Sequence, residues 1–426
     1  MGLIGGMADT SIRADASRKP LWRHSNFVKL WLATSVSRLG SEFTGLAIPL
    51  IAVLVLGASP EQMGFLDGAR FLPFLLIGLF AGVWADRHRK RPILITADLL
   101  RALLLLSIPV AALFGRLSLL QLYAIIFLVG GVTVFFDVSY QAFIPALVDR
   151  EQLGDANGKL EAGRSAAKLL GPGLAGVVIQ LVSAPLAILL DVSSFVISAA
   201  LLGIIDRPEG TTSAKARAPV LVEAREGLGV VLKDPRLRPI VGCTASLNFF
   251  IMAVNALYVI YATRSLGLTP AALGVAIGIG SIGTLAGALF TGELANRIGV
   301  GPLLVLAAAL VGAGHIPILI ATPQNALPIL TAGYIVFTLA SVVYGIMMVS
   351  VRQALVPLPL QGRAAASVRV LVYGVIPLGG VVGGFAGQQL GIWTAILIFT
   401  IGMLVSPLWV LRASILSLRR LPEPEH

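Results

Sequence analysis

Charged residues, cysteine and histidine are all scarce in this chain of 426 residues. Only 12% of the residues are charged, and there are one cysteine and four histidines. In soluble domains about a quarter of all residues are charged. This chain is instead 57% hydrophobic, with a mean hydropathy of +0.90. The single Cys243 excludes an internal disulfide, and so few ligands exclude a conventional zinc site. The composition therefore predicts an integral membrane protein.

Motifs of soluble enzymes are also missing from the sequence. The chain has no phosphate-binding loop ending in Gly-Lys-Ser/Thr and no Gly-x-Ser-x-Gly turn, the patterns that indicate nucleotide binding or a serine hydrolase. We therefore expect no catalytic residue, no metal, no cofactor and no enzymatic activity. Any active transport would then draw on an ion gradient. Residues 1–25 are polar and basic, so no signal peptide is expected.

Apolar runs of about twenty residues, the length needed to cross a bilayer, divide the chain into twelve predicted spans. The expected architecture is all-α, with one six-helix bundle at 27–205 and a second at 239–416. A cytoplasmic segment at 1–26, a cytoplasmic connector at 206–238 and a cytoplasmic tail at 417–426 complete it. The spans are predicted at 27–56, 61–84, 93–115, 118–144, 159–182, 184–205, 239–263, 270–291, 301–322, 326–350, 365–389 and 392–416.

Basic residues concentrate in alternate connecting segments. The net charge of +11 could suggest nucleic-acid binding, but this alternation fits the positive-inside rule better. With the amino terminus in the cytoplasm, the basic residues of 13–23, 87–91 and 206–238 lie inside, and the opposite loops hold only Arg116 and Arg264. We therefore predict a multi-pass protein of the inner (plasma) membrane, with both termini cytoplasmic and no nucleic-acid partner.

The connector contains one candidate helix, at residues 223–233. This segment carries mixed charges and a Val/Leu face, and Asp234-Pro235 would end it. The pattern favours an amphipathic helix on the cytoplasmic membrane surface. A plain linker helix without a functional role is the alternative.

Three motifs of the first half return in the same order in the second half. The pairs are 82–92 with 292–302, 141–145 with 353–357, and 172–176 with 377–380. Their similar offsets indicate an internal repeat of six spans. Such duplication is typical of transporters, in which two related halves expose a central site to alternate sides of the membrane.

The segment 82–92 resembles the motif that the major facilitator superfamily carries between its second and third spans, Gly-x-x-x-Asp-Arg-x-Gly-Arg/Lys-Arg/Lys. The matching residues are Gly82, Asp86, Arg87, Lys90 and Arg91, with Arg89 in place of the second glycine. In the second copy Asn296 replaces the acid, Arg297 remains and the trailing basic residues are absent. The resemblance covers essentially all 426 residues. It implies two pseudo-symmetric six-helix bundles and a gating role for both copies of the motif.

Within the superfamily, the chain resembles the macrolide- and siderophore-exporter branch of bacterial drug–proton antiporters. The segments that carry this resemblance are 97–101, 135–141, 225–228 and 234–238. It implies export of a small amphipathic compound, of the drug, macrolide or siderophore class, by proton antiport with alternating access. One departure concerns the arginine that such antiporters commonly carry in span four. Residues 122–131 contain no basic residue, so a relay of that kind would need Arg38 or Arg101.

Ionisable residues inside the spans are the candidates for proton coupling, because a charge in hydrocarbon is costly and usually faces a cavity or a partner. Helical spacing predicts three pairs of opposite charge: Arg38 with Glu42, Asp67 with Arg70, and Asp98 with Arg101. Asp137 and Arg164 complete the predicted network, and Asp191 has no partner within one turn. Glu42 is the predicted proton carrier, since burial and Arg38 act on its carboxyl group in opposite directions. A permanently ionised pair is the alternative.

Polar and aromatic residues of the second half predict part of a substrate cavity. The candidates are Asn248, Phe249, Asn255, Tyr258 and Tyr344. The expected partners are a small-molecule substrate, protons and membrane lipid, and the protein is expected to be a monomer. Two alternatives keep the same fold: a lipid or lysolipid flippase, and a nutrient importer. A non-transporting membrane scaffold or sensor is the other alternative.

Overall fold

The computed structural model describes residues 20–206, 228–229, 231–357, 360–411, 413–416 and 418–419. The side chains of Leu79, Val83, Asp86, Ala413 and Ser414 are outside that description. Most of the helix predicted at 223–233 also lies outside the described residues, as do the first 19 residues and the last seven.

Helices account for all twelve predicted spans. The described helices are α1 (Ser25–Leu50), α2 (Pro60–Asp86), α3 (Lys90–Leu113), α4 (Leu119–Leu147), α5 (Leu153–Val182), α6 (Ala184–Gly203), α7 (Leu237–Ile260), α8 (Pro270–Gly280 and Ile282–Ile298), α9 (Val300–Ala313 and Ile316–Ile320), α10 (Ala326–Leu355), α11 (Gln361–Gly374 and Ile376–Leu390) and α12 (Ile392–Val405). By length and composition, 11 helical segments in the described part of the chain can cross a membrane. The described residues contain no strand.

Several helix boundaries differ from the predicted ones. Helices α8 and α10 end at Ile298 and Leu355, seven and five residues beyond the predicted 291 and 350. Helix α5 begins at Leu153 rather than 159, and its first turns carry the ion pair Asp155–Lys159. Hydropathy does not detect such polar turns, because they need not lie in hydrocarbon. Helix α12 passes into a 3-10 turn at Ser406–Trp409, short of the predicted end at 416. Pro407 lies in that turn, and proline cannot continue the α-helical hydrogen-bond pattern.

Helices α1–α6, the first half, and helices α7–α12, the second half, pack by the same pattern. In the first half α1 contacts α5 and α6, α2 contacts α4, and α3 contacts α4 and α6. In the second half α7 contacts α11 and α12, α8 contacts α10, and α9 contacts α10 and α12. The internal repeat seen in the sequence is therefore also a repeat of helix packing.

One turn occurs twice, at the same place in each half. Helix α1 ends in a π-helical turn at Ile51–Val55, and α7 ends in one at Tyr261–Ser265. Each is followed by a glycine with positive φ, Gly57 at 66° and Gly267 at 69°, a conformation that glycine adopts without steric cost. Capping hydroxyls, Ser59 and Thr269, then begin α2 and α8, each with a proline at the first position. The sequence shows this element as Leu-Gly-x-Ser/Thr-Pro in both halves.

The two halves meet through α2 with α11 and through α5 with α8. Both crossings join glycines: an added methyl would lie 2.8 Å from Gly384 Cα at Gly64, and 2.9 Å from Gly176 Cα at Gly274. These glycines lie near the helix ends that are joined by the loops 56–59, 183, 266–269 and 391. We call this the short-loop end. The opposite end, which carries the 206–238 connector, is called the connector end. Small residues permit this close backbone approach, so the halves are locked together at the short-loop end.

The outer surface of the helices is apolar. Large side chains such as Leu103, Leu289 and Leu378 are more than half exposed. Exposed apolar patches of this extent are unusual in soluble proteins. They suit contact with lipid chains, as the composition predicted.

Gly64→Ala is expected to weaken the lock at the short-loop end. The added methyl would lie 2.6 Å from Gly380 O and 2.8 Å from Gly384 Cα, and overpacking of this kind costs about 1–3 kcal/mol. We expect a lower Tm, measured with a thiol-reactive dye that reports exposure of the buried Cys243. Gly78→Ala on the same helix, where no atom of another helix lies within 4 Å, is the matched control. Equal Tm losses in the two variants would contradict the close crossing.

Candidate functional site

A buried ion pair lies at the centre of the first half. Arg101 donates a hydrogen bond to Asp98 one turn earlier on α3, and the two residues are 5% and 0% exposed. The guanidinium group also lies 4.2 Å from the ring centre of Phe136 on α4 and 4.3 Å from that of Phe195 on α6. Cation–π contacts of this kind strengthen when desolvated. Arg101 therefore joins three helices.

Asp191, in the middle of α6, belongs to the same group of residues. It is 1% exposed, and its Oδ1 accepts a hydrogen bond of 3.1 Å from Ser194 Oγ. It interacts electrostatically with Arg101 and Asp98. Gly40 of α1 permits this packing, since a methyl there would lie 2.8 Å from Asp191 Oδ1. The charged neighbours of Asp191 thus come from another helix, α3, which spacing along α6 does not reveal. Its sequence signal was an acid in the middle of an apolar span.

A cavity of about 240 Å³ opens beside this group, within the first half. Its polar lining consists of Ser41, Thr44, Asp67, Arg70, Arg101, Thr133 and Asp191. Three members of the predicted charge network, Asp67, Arg70 and Arg101, therefore share one cavity with Asp191. Buried Arg101 Nε and Ser139 Oγ have no hydrogen-bond partner among the described residues, and such atoms are uncommon in folded proteins.

Glu42 lies in a second group, between α1 and α5. A methyl at Gly171 would lie 2.5 Å from Glu42 Cβ, so only glycine at that position leaves room for the side chain. Glu42 interacts electrostatically with Lys168 and Arg164 of α5 and with two further cations, Arg70 and Arg38. It also interacts with Tyr334 of α10, in the second half. The predicted proton carrier is therefore close to the interface between the halves.

Two of the three predicted helical pairs are not direct ion pairs. Among the described residues, Asp98–Arg101 is an ion pair, but neither Arg38 with Glu42 nor Asp67 with Arg70 is one. The Arg38 guanidinium lies 5.9 Å from the ring centre of Tyr140 instead. Spacing fixes which residues are neighbours, but a long arginine side chain can turn to another helix. Here α4 offers an aromatic ring.

Asp137 of α4 connects the two groups. It interacts electrostatically with Arg38, Arg101 and Arg164. Arg101 belongs to the buried pair, whereas Arg38 and Arg164 also act on Glu42. The predicted charge network therefore extends from the interior of the first half to the interface with the second half.

The basic residues of the 82–92 segment bind backbone carbonyls within the first half. Lys90 Nζ donates to Ala85 O and, at 3.0 Å, to His88 O, so it satisfies carbonyls at the end of α2. Arg91 donates to Leu202 O at 2.9 Å and to Gly203 O, at the end of α6. Cations at a helix carboxyl end stabilise its exposed carbonyls. These two residues therefore hold α2, α3 and α6 together at the connector end.

The other described residues of the predicted gate are exposed or have open space beside them. Arg87 is exposed, Gly82 has open space beside it, and the side chain of Asp86 lies outside the described residues. In the second copy, Arg297 forms an ion pair with Glu293 one turn earlier, and Asn296 is exposed. The role of the two copies in gating stays a prediction.

The predicted substrate residues do not lie together. Asn248 and Tyr344 line a cavity of about 350 Å³ in the second half. Asn255 and Tyr258 line a separate cavity of about 20 Å³, beside His315. Phe249 lines neither of these and packs on Phe250, with ring centres 5.3 Å apart. Asn248 and Asn255 are seven residues apart on α7, which amounts to roughly 10 Å. Phe249 follows Asn248 directly, and adjacent helical residues point about 100° apart. The three side chains therefore lie in different places.

A model of the Major Facilitator Superfamily matches residues 30–379. The chain belongs to the Major Facilitator Superfamily. It is therefore a membrane transporter for a small molecule and not an enzyme, as predicted. Solved structures support the fold: a bacterial homologue of the iron transporter ferroportin in its inward-facing state covers 92% of the chain with a TM-score of 0.72 at 18% identity. That match spans 100% of the ferroportin homologue.

Three relatives of this superfamily member are named as efflux or export proteins. Macrolide efflux protein A of Streptococcus pyogenes is 25% identical over 63% of the chain and 67% of its own length. Multidrug efflux pump Tap of Mycolicibacterium fortuitum is 26% identical over 86% of the chain and 90% of its own length. Enterobactin exporter EntS of Salmonella typhi is 25% identical over 66% and 67%. The predicted resemblance to macrolide and siderophore exporters is confirmed.

Arg101→Met is expected to destabilise the protein strongly. Removing one partner of a buried ion pair costs about 3–5 kcal/mol, because Asp98 would stay buried without its cation. Asp98→Asn combined with Arg101→Met is expected to recover most of that loss. Thermal unfolding followed by tryptophan fluorescence measures both effects.

Arg297→Met is the matched control for this experiment. It breaks the pair Glu293–Arg297, which also lies one turn apart on a helix but is exposed. Exposed pairs contribute about 0–1 kcal/mol, so the Tm is expected to change little. Equal losses at Arg101 and Arg297, or no recovery in the double variant, would contradict the buried pair.

Proposed function

We propose that this transporter exports an amphipathic small molecule across the inner (plasma) membrane in exchange for protons. The proposal includes both termini on the cytoplasmic side, a monomeric protein and lipid around its apolar surface. The names of its relatives, macrolide efflux protein A, multidrug efflux pump Tap and enterobactin exporter EntS, support export. Alternate loops rich in basic residues support the orientation.

The observation that carries the proposal is the setting of Glu42. Its carboxyl group interacts with four cations of the first half, yet it is in no direct ion pair among the described residues. Burial favours the protonated carboxyl group and the four cations favour the carboxylate, so a movement that changes either effect can load or release a proton. The carboxyl group of Glu42 also interacts electrostatically with Tyr334 of the second half.

The position of Glu42 suggests how proton binding and alternating access are coupled. Lys168, Arg164, Arg38 and Arg70 belong to the first half and move with Glu42, whereas Tyr334 belongs to the second. When one half rocks against the other, the surroundings of the carboxyl group change on one side only. Its affinity for a proton then depends on the conformation, which is the requirement for coupling.

The two glycine crossings hold the halves together at the short-loop end in the described conformation. The halves could therefore separate at the connector end. With the proposed orientation, such an opening would face the cytoplasm, where an exporter takes up its substrate. Loading at that end and release at the short-loop end would complete the transport cycle.

Glu42→Gln is expected to abolish compound-driven proton movement. Purified protein in liposomes with an imposed pH gradient is screened for proton flux, by an enclosed pH-sensitive dye, on addition of macrolides, siderophores and dyes. Glutamine keeps the size of the side chain but cannot carry the proton. Glu61→Gln is the matched control, because Glu61 lies at the short-loop end of α2 and outside the cations around Glu42. This variant is expected to retain the flux.

Two outcomes would reject the antiport proposal. One is that no compound moves protons in the wild-type protein, and the other is that Glu42→Gln behaves like the wild type. The same vesicles, loaded with a fluorescently labelled lysolipid, test the flippase alternative, and uptake of compounds against the expected direction tests the importer. If neutralising Glu42 leaves every flux unchanged while partner binding persists, the scaffold alternative is supported.

A further inference from the structure

One cavity of the second half is lined by charged residues of one sign only. The cavity, of about 350 Å³, lies among α7, α9, α10 and α11. Arg352 of α10 and Arg369 of α11 line it, and no acid does. The two arginines interact electrostatically as like charges. A volume of this size is within the range of small-molecule sites, about 300–1,000 Å³.

The second half has almost no acid to balance these arginines. From residue 239 to 416 the sequence contains one acidic residue, Glu293, and it is already paired with Arg297. Among the described residues, neither Arg352 nor Arg369 forms an ion pair with a carboxylate. Arg352 is partly buried and Arg369 is exposed, so a ligand can reach both, and an anion placed between two like charges is attracted by both.

A role as topology anchors explains only one of the two arginines. Arg352 is in the last turn of α10, where a cation favours the helix end and the cytoplasmic surface. Arg369, in contrast, is eight residues after the start of α11 at Gln361, roughly 12 Å along the helix. That position lies inside the predicted span 365–389, where a charge usually faces a cavity or a partner.

Other lining groups suit an anionic ligand with an apolar body. Ser341 Oγ is buried and has no hydrogen-bond partner among the described residues, so its hydroxyl is available as a donor. Tyr344 is fixed by a bond of 2.8 Å between its hydroxyl and Thr244 Oγ1. The rest of the wall is mainly aliphatic, including Leu247, Ile251, Met348, Val349, Val368 and Val372. Charge-assisted donors beside an apolar wall match an amphipathic anion.

We propose that the cavity between Arg352 and Arg369 binds the anionic group of an amphipathic organic anion. The inference deepens the proposed export function, on which it rests, by naming the substrate class: the transported compound carries a carboxylate or a similar anion. Arg352, Arg369 and Ser341 hold the anionic group, and the aliphatic wall holds the body. The first half then supplies the proton chemistry and the second half the recognition of charge.

Two dyes with the same ring system but opposite charge test the inference. The protein is placed in phosphatidylcholine nanodiscs, and binding of fluorescein, an anion, and of rhodamine 123, a cation, is measured by fluorescence anisotropy. We expect saturable binding of fluorescein that weakens about tenfold for Arg352→Gln and for Arg369→Gln, since tenfold corresponds to ~1.4 kcal/mol. Rhodamine 123 is expected to bind more weakly and not to lose affinity in either variant.

Matched variants control for charge and folding. Arg238→Gln removes one exposed arginine near the connector end of α7, outside the cavity, and is expected to leave fluorescein affinity unchanged. Arg352→Lys and Arg369→Lys keep the charge and are expected to lose less affinity than the glutamine variants, so they report on the site even if those variants misfold. Equal binding of the two dyes, or unchanged fluorescein affinity with both arginines replaced by glutamine, would overturn the proposal.

A lipid headgroup and a free compound present the same chemistry, and nanodisc composition distinguishes them. If phosphatidylglycerol competes with fluorescein only when both arginines are present, the anion is a lipid headgroup. If it does not compete, the anion is a free compound. Binding in nanodiscs needs no gradient, so this result is independent of the proton-flux assay. If fluorescein binds as expected but no compound drives a proton flux, the antiport proposal is rejected and the anion site is retained.

Discussion

The guanidinium group of Arg101 lies between the rings of Phe136 and Phe195 and interacts with Asp98, Asp137 and Asp191. In a low-dielectric interior, a cation of this kind is retained only if several helices supply its compensation. The helices α3, α4 and α6 are therefore held in one arrangement by a single side chain. Asp137 extends this arrangement to the cations that surround Glu42. The interior pair and the interface acid are thus parts of one network.

The two halves share their geometry but not their chemistry. The turn after the first helix, the glycine crossings and the order of helix contacts all occur twice. The charged residues do not occur twice, because the second half contains one acid, Glu293, within 239–416. Duplicated backbones give two halves that can rock against each other. Unequal charges then allow one half to handle protons and the other to recognise an anion.

Hydropathy and motif spacing predicted the fold well, because both depend on local sequence. Twenty-residue apolar runs located all twelve spans, and the 82–92 segment identified the superfamily. Pairing of side chains was less predictable. Spacing on one helix identified both Asp98 with Arg101 and Arg38 with Glu42 as electrostatic neighbours, but only the first is a direct ion pair, since Arg38 turns to Tyr140 on another helix. The neighbours of Asp191 and the shared cavity of Arg352 and Arg369 depend on helix packing, which no single-helix pattern contains.

Coupling between the Glu42 network and the substrate is the central claim, and proton release on binding tests it most directly. Purified protein in weakly buffered detergent solution, with a pH-sensitive dye, is titrated separately with erythromycin, enterobactin and fluorescein. The account predicts that at least one compound releases or takes up protons in proportion to the protein concentration, and that Glu42→Gln abolishes this signal while Glu61→Gln retains it. Binding to the wild type with no proton change from any of the three compounds, or the same proton change in Glu42→Gln, would contradict the account.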